Sequence, residues 1–337
     1  MQNFCLKRLM AKILITGGAG FIGSHLAHSL AKNNKVMIVD NLESKGSIPF
    51  IDKKNLFIKG NILEKKILNK IKKWKPEAIY HLAAQSGGEG AYDNPKKDFD
   101  TNGFGTCLIA NLAKEINCKY FIYASSVAVY GSAKKKLNEF SDINPNSIYG
   151  VSKYAGELFV KQILKGTNTK IRIFRIFNTY GPGENMKNLK KGMVSIYCSY
   201  IWRKKPLLVK GSLKRFRNFT YISDCVHILK ESIKNKRLKK IEIINLSDEK
   251  KFTVKELVKK ILKVNKLKSW KIINRKDTPG DSFSTFTSNQ YLRKKFNNHN
   301  FINLDEGLRR YFLWIKKINK KNFSRSHPYH LDKDYNL

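Results

Sequence analysis

Short runs of apolar, mostly β-branched residues alternate with amphipathic stretches along the first half of the chain. The runs have the length of buried strands, and the stretches at 98–117 and 153–165 have the apolar spacing of helices. The six runs are AKILITG (11–17), KVMIVD (35–40), NLFIKG (55–60), EAIYHLA (77–83), KYFIYAS (119–125) and IRIFRIF (171–177). This alternation predicts an α/β fold, a doubly wound parallel sheet covered by helices on both faces.

The pattern loosens after about residue 180. Helical segments near 190–203 and 253–263 surround a strand-like KPLLVKG at 205–211, and KIEIINLS at 240–247 has the character of one more strand of the main sheet. We therefore expect a second, smaller mixed α/β domain. The expected division is a larger domain of residues 10–180 with 218–248 returning to it, a smaller domain of 181–217 and 249–320, and a polar tail of 321–337.

The chain is strongly basic, with 66 Lys and Arg against 26 Asp and Glu and a net charge of +40. Such a field attracts nucleic acid, anionic membranes or anionic small molecules. The basic residues are spread along the whole chain, and the sequence has no zinc-finger spacing, RNP motif or basic-aromatic platform. We predict no specific nucleic-acid partner and interpret the charge as a compositional bias on a solvated surface.

The cysteines are scattered, without a C-x-x-C motif or a histidine cluster. They are Cys5, Cys107, Cys118, Cys198 and Cys225. This pattern predicts free thiols in a reducing, cytoplasmic compartment and no metal site. No apolar run reaches the length of a membrane span, and the nine residues before Met10 are too short and poorly organised for a signal peptide.

A glycine-rich stretch, ILITGGAGFIGSHLA (13–27), joins the first predicted strand to a helix. Gly17, Gly20 and Gly23 form G-x-x-G-x-x-G, with Phe21 and Ile22 between the last two. Such glycines allow a tight turn and a close approach to a pyrophosphate, which the helix N-terminus then binds. The stretch predicts a Rossmann-type dinucleotide site, and a purely structural turn is the alternative.

The next predicted strand ends in Asp40. A carboxylate at this position accepts hydrogen bonds from both ribose hydroxyls of the adenosine and repels a 2′-phosphate. Asp40 therefore favours NAD over NADP, unless it is only a turn residue.

The stretch YGVSKYAGE (149–157) contains a tyrosine and a lysine four positions apart. On a helix this spacing puts Tyr149 and Lys153 on one face. The pair alone does not distinguish an ordinary surface contact from a tyrosine tuned to act as a base.

Several motifs together carry a resemblance that covers about Lys12 to Trp314. They are TGGAGFIG (16–23), HLAA (81–84), NGFGT (102–106), SSVAVYG (125–131), YGVSK (149–153), RIFNTYGPG (175–183) and RNFTYISD (217–224). Their order and spacing resemble those of the extended short-chain dehydrogenases/reductases, and within them the NAD-dependent nucleotide-sugar epimerases and dehydratases, such as the UDP-glucose 4-epimerases. The resemblance implies a Rossmann-type domain that binds NAD and a smaller domain that binds substrate.

The resemblance also assigns roles to individual residues. Tyr149 corresponds to the catalytic base, Lys153 to its partner on the nicotinamide ribose, and Ser126 to the residue that hydrogen-bonds the reacting sugar hydroxyl, with Ser125 a weaker candidate. The substrate-binding candidates are Ser86, Ser126, Tyr149, Asn178 and Arg217, of which Asn178 and Arg217 match positions at the diphosphate. The remaining cofactor candidates are Asn41, Asn61, Ile62, Leu82, Ala83, Ala84 and Asn102.

The residues after Ser126 discriminate among the chemistries of the family. The 4,6-dehydratases carry Asp-Glu there, the decarboxylating branch carries Glu, and 3,5-epimerases similar to GDP-fucose synthase carry Cys, with a His after Tyr-Gly-Pro. This chain has Val127, Ala128 and Gly183 at those positions. The resemblance therefore implies a 4-epimerase of nucleotide sugars, with UDP-sugars as the first expectation. A dehydratase, decarboxylase or reductase of the same family and a non-catalytic NAD-binding regulator are the alternatives.

Three positions depart from the family pattern. Asn61 replaces the usual Asp near the adenine, Thr278 replaces an arginine at the diphosphate of UDP-galactose epimerases, and residues 188–201 differ from the usual stretch along the nucleotide. Arg275 is a candidate replacement for the missing arginine. The resemblance further implies a homodimer that forms through the helices at about 98–117 and 150–165.

Overall fold

The computed structural model describes residues 10–44, 54–133, 135–277 and 284–317. The strands within these ranges are β1 (Lys12–Thr16), β2 (Lys35–Asp40), β3 (Leu56–Lys59), β4 (Ala78–His81), β5 (Tyr120–Ser126), β6 (Lys170–Ile176), β7 (Asn178–Tyr180), β8 (Leu207–Lys210), β9 (Phe216–Tyr221), β10 (Ile241–Leu246), β11 (Lys251–Thr253), β12 (Ile272–Arg275) and β13 (Ser284–Thr285). The α-helices are α1 (Phe21–Ala31), α2 (Lys65–Trp74), α3 (Gly88–Asp93), α4 (Pro95–Phe99), α5 (Gly105–Glu115), α6 (Ile148–Ile163), α7 (Met193–Trp202), α8 (Ile222–Glu231), α9 (Val254–Val264), α10 (Gln290–Lys295) and α11 (Leu304–Lys317).

Seven strands form one parallel sheet in the order β10-β6-β5-β4-β1-β2-β3. Its strands are apolar on both faces, as a sheet covered on both sides requires. In β1, for example, Ile13 and Ile15 belong to the core under α1 and α8, while Leu14 belongs to the core under α2, α5 and α6. The predicted doubly wound α/β fold is confirmed.

The order of the strands reverses between β1 and β4. From β1 the chain continues outward through β2 and β3, whereas β4, β5 and β6 extend to the other side. In sheets of this kind the loops at the carboxyl ends of the two central strands separate and leave a crevice. The predicted glycine turn follows the end of β1, and the predicted site residues Leu82, Ala83, Ala84 and Ser86 follow the end of β4.

A smaller mixed sheet is built around β9. This strand pairs in parallel with β7 and β13 and antiparallel with β11, while β8 and β12 form a separate parallel pair. The smaller domain expected from the sequence is thus present as a mixed sheet, and β10 lies in the main sheet beside β6. The expected domain boundaries stay predictions, and the tail at 321–337 lies outside the described residues.

The helix expected over 98–117 differs from the prediction. It consists of the short α4, a π-helical turn (Asp100–Phe104) and α5. The wider turn points Asn102 into the protein, where its side-chain amide donates to the carbonyl of Gln85 at 2.9 Å and to Ser152 Oγ at 3.1 Å. These contacts come from distant parts of the chain, so the local apolar spacing does not predict the change of helix type. Such turns occur frequently at functional sites.

None of the helices in the described ranges is long and apolar enough to cross a membrane. Within the same ranges no group of three or more His, Cys, Asp or Glu side chains is arranged to hold a metal ion. Cys107, Cys118, Cys198 and Cys225 are free thiols. Cys5 lies outside the described residues.

Candidate active site

The glycine turn between β1 and α1 is closely packed. Gly17 has a φ of +69°, and a Cβ there would lie 2.6 Å from the backbone nitrogen of Ala83. A Cβ on Gly23 would lie 2.2 Å from the carbonyl oxygen of Gly17. Gly20 is the N-cap of α1 and provides no side-chain cap. The backbone amides at this helix end therefore have the environment that suits an anionic pyrophosphate.

Asp40 connects the end of β2 to this turn. Its carboxylate accepts a hydrogen bond from the Ala19 amide at 3.0 Å and from the Leu42 amide at 2.8 Å. Burial raises the pKa of Asp40, and the two amides oppose that effect. Each carboxylate oxygen has a second lone pair, so the group can also accept from ribose hydroxyls. Sequence reasoning missed the role of Asp40 in holding the glycine turn.

Asn41 follows β2 and Asn61 follows the neighbouring β3, and both organise turns. Asn41 Oδ1 accepts from the Glu43 amide at 3.1 Å, and Asn61 Oδ1 accepts from the Leu63 amide at 3.0 Å. An amide in place of a carboxylate at Asn61 therefore still forms the turn that leads into α2. Ile62 is buried beneath it.

The loop after β4 lies against the glycine turn. The Leu82 amide donates to the carbonyl of Thr16 at 3.0 Å, and the Ala83 amide lies 3.3 Å from Thr16 Oγ1. Ala84 is the next residue of this loop. Two residues later, the Ser86 hydroxyl lies 2.5 Å from Lys191 Nζ. Lys191 was not predicted, because one lysine gives no signal in a chain with 66 Lys and Arg. This contact brings the segment after β7 over the loop that follows β4.

His81 is a buried linker that sequence reasoning also missed. Its Nδ1 lies 2.7 Å from Thr16 Oγ1 and its Nε2 lies 2.9 Å from Thr106 Oγ1. Thr106 donates its hydroxyl hydrogen to the carbonyl of Asn102 at 2.6 Å, so it must accept from His81 Nε2. Burial, with a smaller effect from the charge of Lys153, lowers the pKa of His81 to about 3. The ring is therefore neutral and joins β1, β4 and α5.

Helix α6 carries Tyr149 and Lys153 one turn apart. Ser147 caps the helix by accepting from the Gly150 amide at 3.1 Å. A Cβ on Gly150 would lie 2.4 Å from the carbonyl oxygen of Ala128, so glycine allows the helix to approach the end of β5. Lys153 is 2 % exposed, and its Nζ lies 4.5 Å from the centre of the Tyr123 ring.

Burial disfavours the charged form of both Lys153 and Tyr149. Burial lowers the pKa of Lys153 to about 8, and the charges of Asp98 and Glu157 act in the opposite direction. Burial raises the pKa of Tyr149 to about 12, a hydrogen bond with Ser126 lowers it, and the charge of Asp98 raises it. In the protein alone, Tyr149 is therefore a neutral phenol at physiological pH. A cationic group that binds beside it would favour the phenolate.

The two serines at the end of β5 have different partners. Ser126 hydrogen-bonds Tyr149, and its Oγ accepts from the Ala128 amide at 3.2 Å at the start of a 3-10 turn (Val127–Tyr130). Ser125 Oγ instead donates to Glu157 Oε1 at 2.5 Å. Tyr149 lies in the first turn of α6 and Glu157 about two turns further along, so the two serines meet different parts of the same helix.

The candidate diphosphate residues lie on paired strands. Asn178 on β7 is opposite Phe219 of β9, and its Nδ2 donates to the carbonyl of Asn218 at 3.0 Å. Arg217, on β9, is 5 % exposed and donates to the carbonyl of Phe216 at 2.7 Å. Arg275 is exposed on β12, which pairs with β8 rather than with β9. Thr278 lies outside the described residues. That Arg275 takes the place of the arginine missing at this position therefore stays a prediction.

The residues present suit a bound NAD. The glycine turn packs so closely on backbone that Gly17 and Gly23 have no room for a Cβ, an uncapped helix N-terminus adjoins it, and Asp40 lies beside both. A further acceptor is Asn102 Oδ1, a buried atom that has no hydrogen-bond partner among the described residues. Gly17, Gly20, Gly23 and Asp40 would hold the adenosine diphosphate half, and Lys153 would hold the nicotinamide half.

Comparison with known proteins identifies the family. Residues 13–247 match the family model described as the NAD dependent epimerase/dehydratase family. A protein of Methanocaldococcus jannaschii named "Putative UDP-glucose 4-epimerase" is 32% identical over 316 residues, which cover 91% of this chain and 99% of that protein. UDP-glucuronic acid decarboxylase 4 of Arabidopsis thaliana is 31% identical over 265 residues, which cover 75% of this chain and 57% of the relative.

A solved structure is also similar over nearly the whole chain. The UDP-glucuronic acid 4-epimerase of Bacillus cereus, in complex with UDP-glucuronic acid and NAD, has a TM-score of 0.82 and 27% sequence identity, and the match covers 90% of this chain and 99% of that one. The predicted family and the predicted cofactor, NAD, are thereby confirmed. The chain is an enzyme that belongs to the NAD-dependent epimerase/dehydratase family.

Proposed function

We propose that the protein is a nucleotide-sugar 4-epimerase that acts on UDP-sugars. The observation that carries the proposal is the composition of the 3-10 turn after Ser126. Val127 and Ala128 have no side chain that can transfer a proton, and Val129 is fully buried. A second acid or base is needed to remove water across two carbons. Ser126, Tyr149 and Lys153 alone suffice for oxidation and reduction at a single carbon.

In this proposal Tyr149 acts on the 4-hydroxyl of the sugar. The phenolate of Tyr149 removes the hydroxyl proton, Ser126 hydrogen-bonds the same oxygen, and the Lys153 ammonium stabilises the phenolate. NAD, which the glycine turn, Asp40 and Lys153 would hold, would supply a reversible hydride acceptor for oxidation and reduction at C4. Tyr149 then gives its proton back to the C4 oxygen, so the cycle is balanced and consumes no reductant.

The substrate is proposed to be held by its diphosphate. Arg217 presents a planar guanidinium whose geometry suits phosphate oxygens, and Asn178 lies on the strand paired with it. Ser86 and Lys191 are proposed to line the sugar end, because their contact lies between the loops that follow β4 and β7. Because only the diphosphate is held, the keto sugar can rotate and present its other face between the two hydride transfers.

We further propose that two copies associate through the helices α4 to α6. Large apolar side chains are exposed there, with Phe99 47%, Phe104 48%, Val151 52% and Leu158 46% exposed. Helix α6, which carries Val151 and Leu158, packs against α4 and the π-helical turn, which carry Phe99 and Phe104. Burial of such side chains against a second copy would be favourable. A cytoplasmic location is proposed on the sequence grounds given above.

The test is proton NMR of the purified protein with UDP-glucose, UDP-galactose, UDP-N-acetylglucosamine and UDP-glucuronate, without added NAD. The proposal expects the C4 epimer of at least one substrate, together with loss of turnover in Tyr149→Phe, which retains its NAD. Loss of water or CO₂ from the sugar would instead identify a dehydratase or a decarboxylase. Retention of full turnover by Tyr149→Phe would remove this residue from the role of base.

A further inference from the structure

Asp98 is a buried carboxylate outside the residues that the proposed mechanism uses. It lies on the short α4 and is 0% exposed, while Phe99 next to it is 47% exposed. Acidic side chains are almost never fully buried unless they are paired. Its partners are Ser152, whose Oγ donates to Oδ2, and Asn102, whose Nδ2 lies 3.2 Å from Oδ1.

Both of these hydrogen bonds are donated to the carboxylate. The Ser152 hydroxyl also lies 3.1 Å from the carbonyl of Tyr149, but Asp98 is nearer. The Asn102 amide has acceptors on three sides, Asp98, Ser152 and the Gln85 carbonyl at 2.9 Å, which fixes its orientation. A carboxylate that only accepts hydrogen bonds suits the ionised form. Burial raises the pKa of Asp98, while the hydrogen bond from Ser152, the charge of Lys153 and the hydrogen bond from Asn102 oppose that effect and favour the ionised carboxylate.

These partners connect Asp98 to the turn that carries Tyr149 and Lys153. Ser152 immediately precedes Lys153, and Asn102 connects the same point to the loop after β4 through Gln85. Removing Asp98 would take away the nearest acceptor of the Ser152 hydroxyl and one of the three acceptors around the Asn102 amide, which would loosen the α6 turn.

The charges near Lys153 leave Asp98 as the main counter-charge. The titratable groups around Lys153 are Tyr149 and Glu157 on α6, Tyr123 on β5, His81 on β4 and Asp98 on α4. Glu157 is already neutralised, because both its carboxylate oxygens bind the Arg175 guanidinium, at 3.0 and 2.8 Å. His81 is neutral. Within the part of the chain that the structure describes, Asp98 thus provides the negative charge that is not paired with another cation.

We propose that Asp98 is a positioning residue of the active site, which holds the α6 turn through Ser152 and Asn102 and serves as the counter-charge of Lys153. The inference rests on the proposed function only where it concerns turnover. Without Asp98, Lys153 would lose its ammonium at a lower pH, and the support of the Tyr149 phenolate would be lost with it.

The test compares Asp98→Asn with Asp100→Asn. Asp100 lies two residues further on and pairs with Lys96 at 2.5 Å at the surface, so the second variant removes the same charge without touching the site. Lysine labelled with ¹³C at Cε is followed by NMR as a function of pH, and the Lys153 signal is the one that is missing in Lys153→Arg. Burial lowers the pKa of Lys153 to about 8, so the signal should stand apart from those of exposed lysines.

The expected result is a midpoint for Lys153 that falls by about one pH unit or more in Asp98→Asn and is unchanged in Asp100→Asn, since a neighbouring charge typically shifts a pKa by about 1 to 3 units. The alkaline limb of kcat should move to lower pH in the same variant, with little change in KM. An unchanged Lys153 midpoint in Asp98→Asn would overturn the proposal. Asp98→Ser, which also removes the carboxylate, serves if the first variant does not fold.

The NMR midpoint is measured without substrate. If Tyr149→Phe keeps its turnover while the Lys153 midpoint still depends on Asp98, the proposed function fails and the present inference stands. If the midpoint does not respond while Tyr149→Phe is inactive, the inference fails and the proposed function stands.

Discussion

Ser125 and Ser126 are consecutive residues of β5 whose hydroxyls serve two separate networks. Ser125 donates to Glu157 at 2.5 Å, within a buried cluster where Glu157 binds Arg175, and Ser126 hydrogen-bonds Tyr149. The strand therefore places a stabilising contact and a candidate catalytic contact next to each other in sequence, directed to two different turns of α6.

Substituting each serine by alanine should affect mainly kcat in one variant and mainly the free energy of unfolding in the other. Ser126→Ala should lower kcat by about 10²-fold, because a hydrogen bond to the reacting oxygen is lost. It should lower the free energy of unfolding less than Ser125→Ala does, because only hydrogen bonds with two neutral groups, the Ala128 amide and Tyr149, are lost. Ser125→Ala should lower the free energy of unfolding by about 1–3 kcal/mol, because a buried carboxylate loses a donor, with little change in kcat. Steady-state kinetics and urea unfolding of both variants measure this, and the reverse pattern would contradict the assignment.

The glycine turn should not tolerate a side chain at Gly23. In Gly23→Ala the new Cβ would meet the Gly17 carbonyl oxygen at 2.2 Å, so the turn must move and NAD binding should fall at least about tenfold. The NAD content of the purified protein, read by absorbance after denaturation, measures the effect. Gly166→Ala is the control, because its Cβ has nothing within 4 Å and its cost is limited to a φ of +78°. Equal NAD loss in both variants would refute this account of the turn.

Stability should fall with acid partly because His81 is buried and neutral. The pKa of His81 is about 3 in the folded protein, whereas an unfolded histidine titrates near ~6.5. Between these values the unfolded chain binds one more proton, so His81 lowers the free energy of unfolding by about 1.4 kcal/mol per pH unit as the pH falls. His81→Asn should reduce the slope of stability against pH by about one proton between pH ~6 and pH ~4. Urea unfolding at several pH values measures the slope, and an identical slope in the variant would show that His81 does not contribute.

Introducing a charged side chain on the exposed face of α6 should dissociate the proposed dimer. Leu158→Glu places a carboxylate on a side chain that is 46% exposed, and like charges from two copies would then face each other. Light scattering after size exclusion should give the mass of one chain for this variant and of two chains for the unmodified protein. Phe140→Glu is the control, since Phe140 is 87% exposed and lies outside these helices. A monomeric unmodified protein would contradict the proposal.

The sequence predicts the main sheet and the glycine turn because their signals are local. The apolar runs from Lys12 to Ile176 have strand length, and Gly17, Gly20 and Gly23 directly follow the first of them. These features depend on residues close in sequence, as do the positions of Tyr149 and Lys153 on one helical turn.

The contacts that complete the candidate site are long-range and could not be predicted. Asn102 reaches Ser152 across 50 positions, and Lys191 reaches Ser86 across 105. Nothing local distinguishes Asp98 from the other acidic residues nearby, and its burial follows only from how α4 packs against α6. The π-helical turn at Asn102 has the same origin, because tertiary hydrogen bonds determine it.

The most direct test of the proposed chemistry uses a UDP-sugar that carries deuterium at C4. The protein is incubated with this substrate in ordinary water without added NAD, and the epimer is isolated and examined by NMR and mass spectrometry. Removal and return of the same hydride predict an epimer that retains deuterium at C4 and takes up no solvent hydrogen on carbon. An epimer that has lost the label, or a product that has lost water or CO₂, would contradict the proposed 4-epimerase.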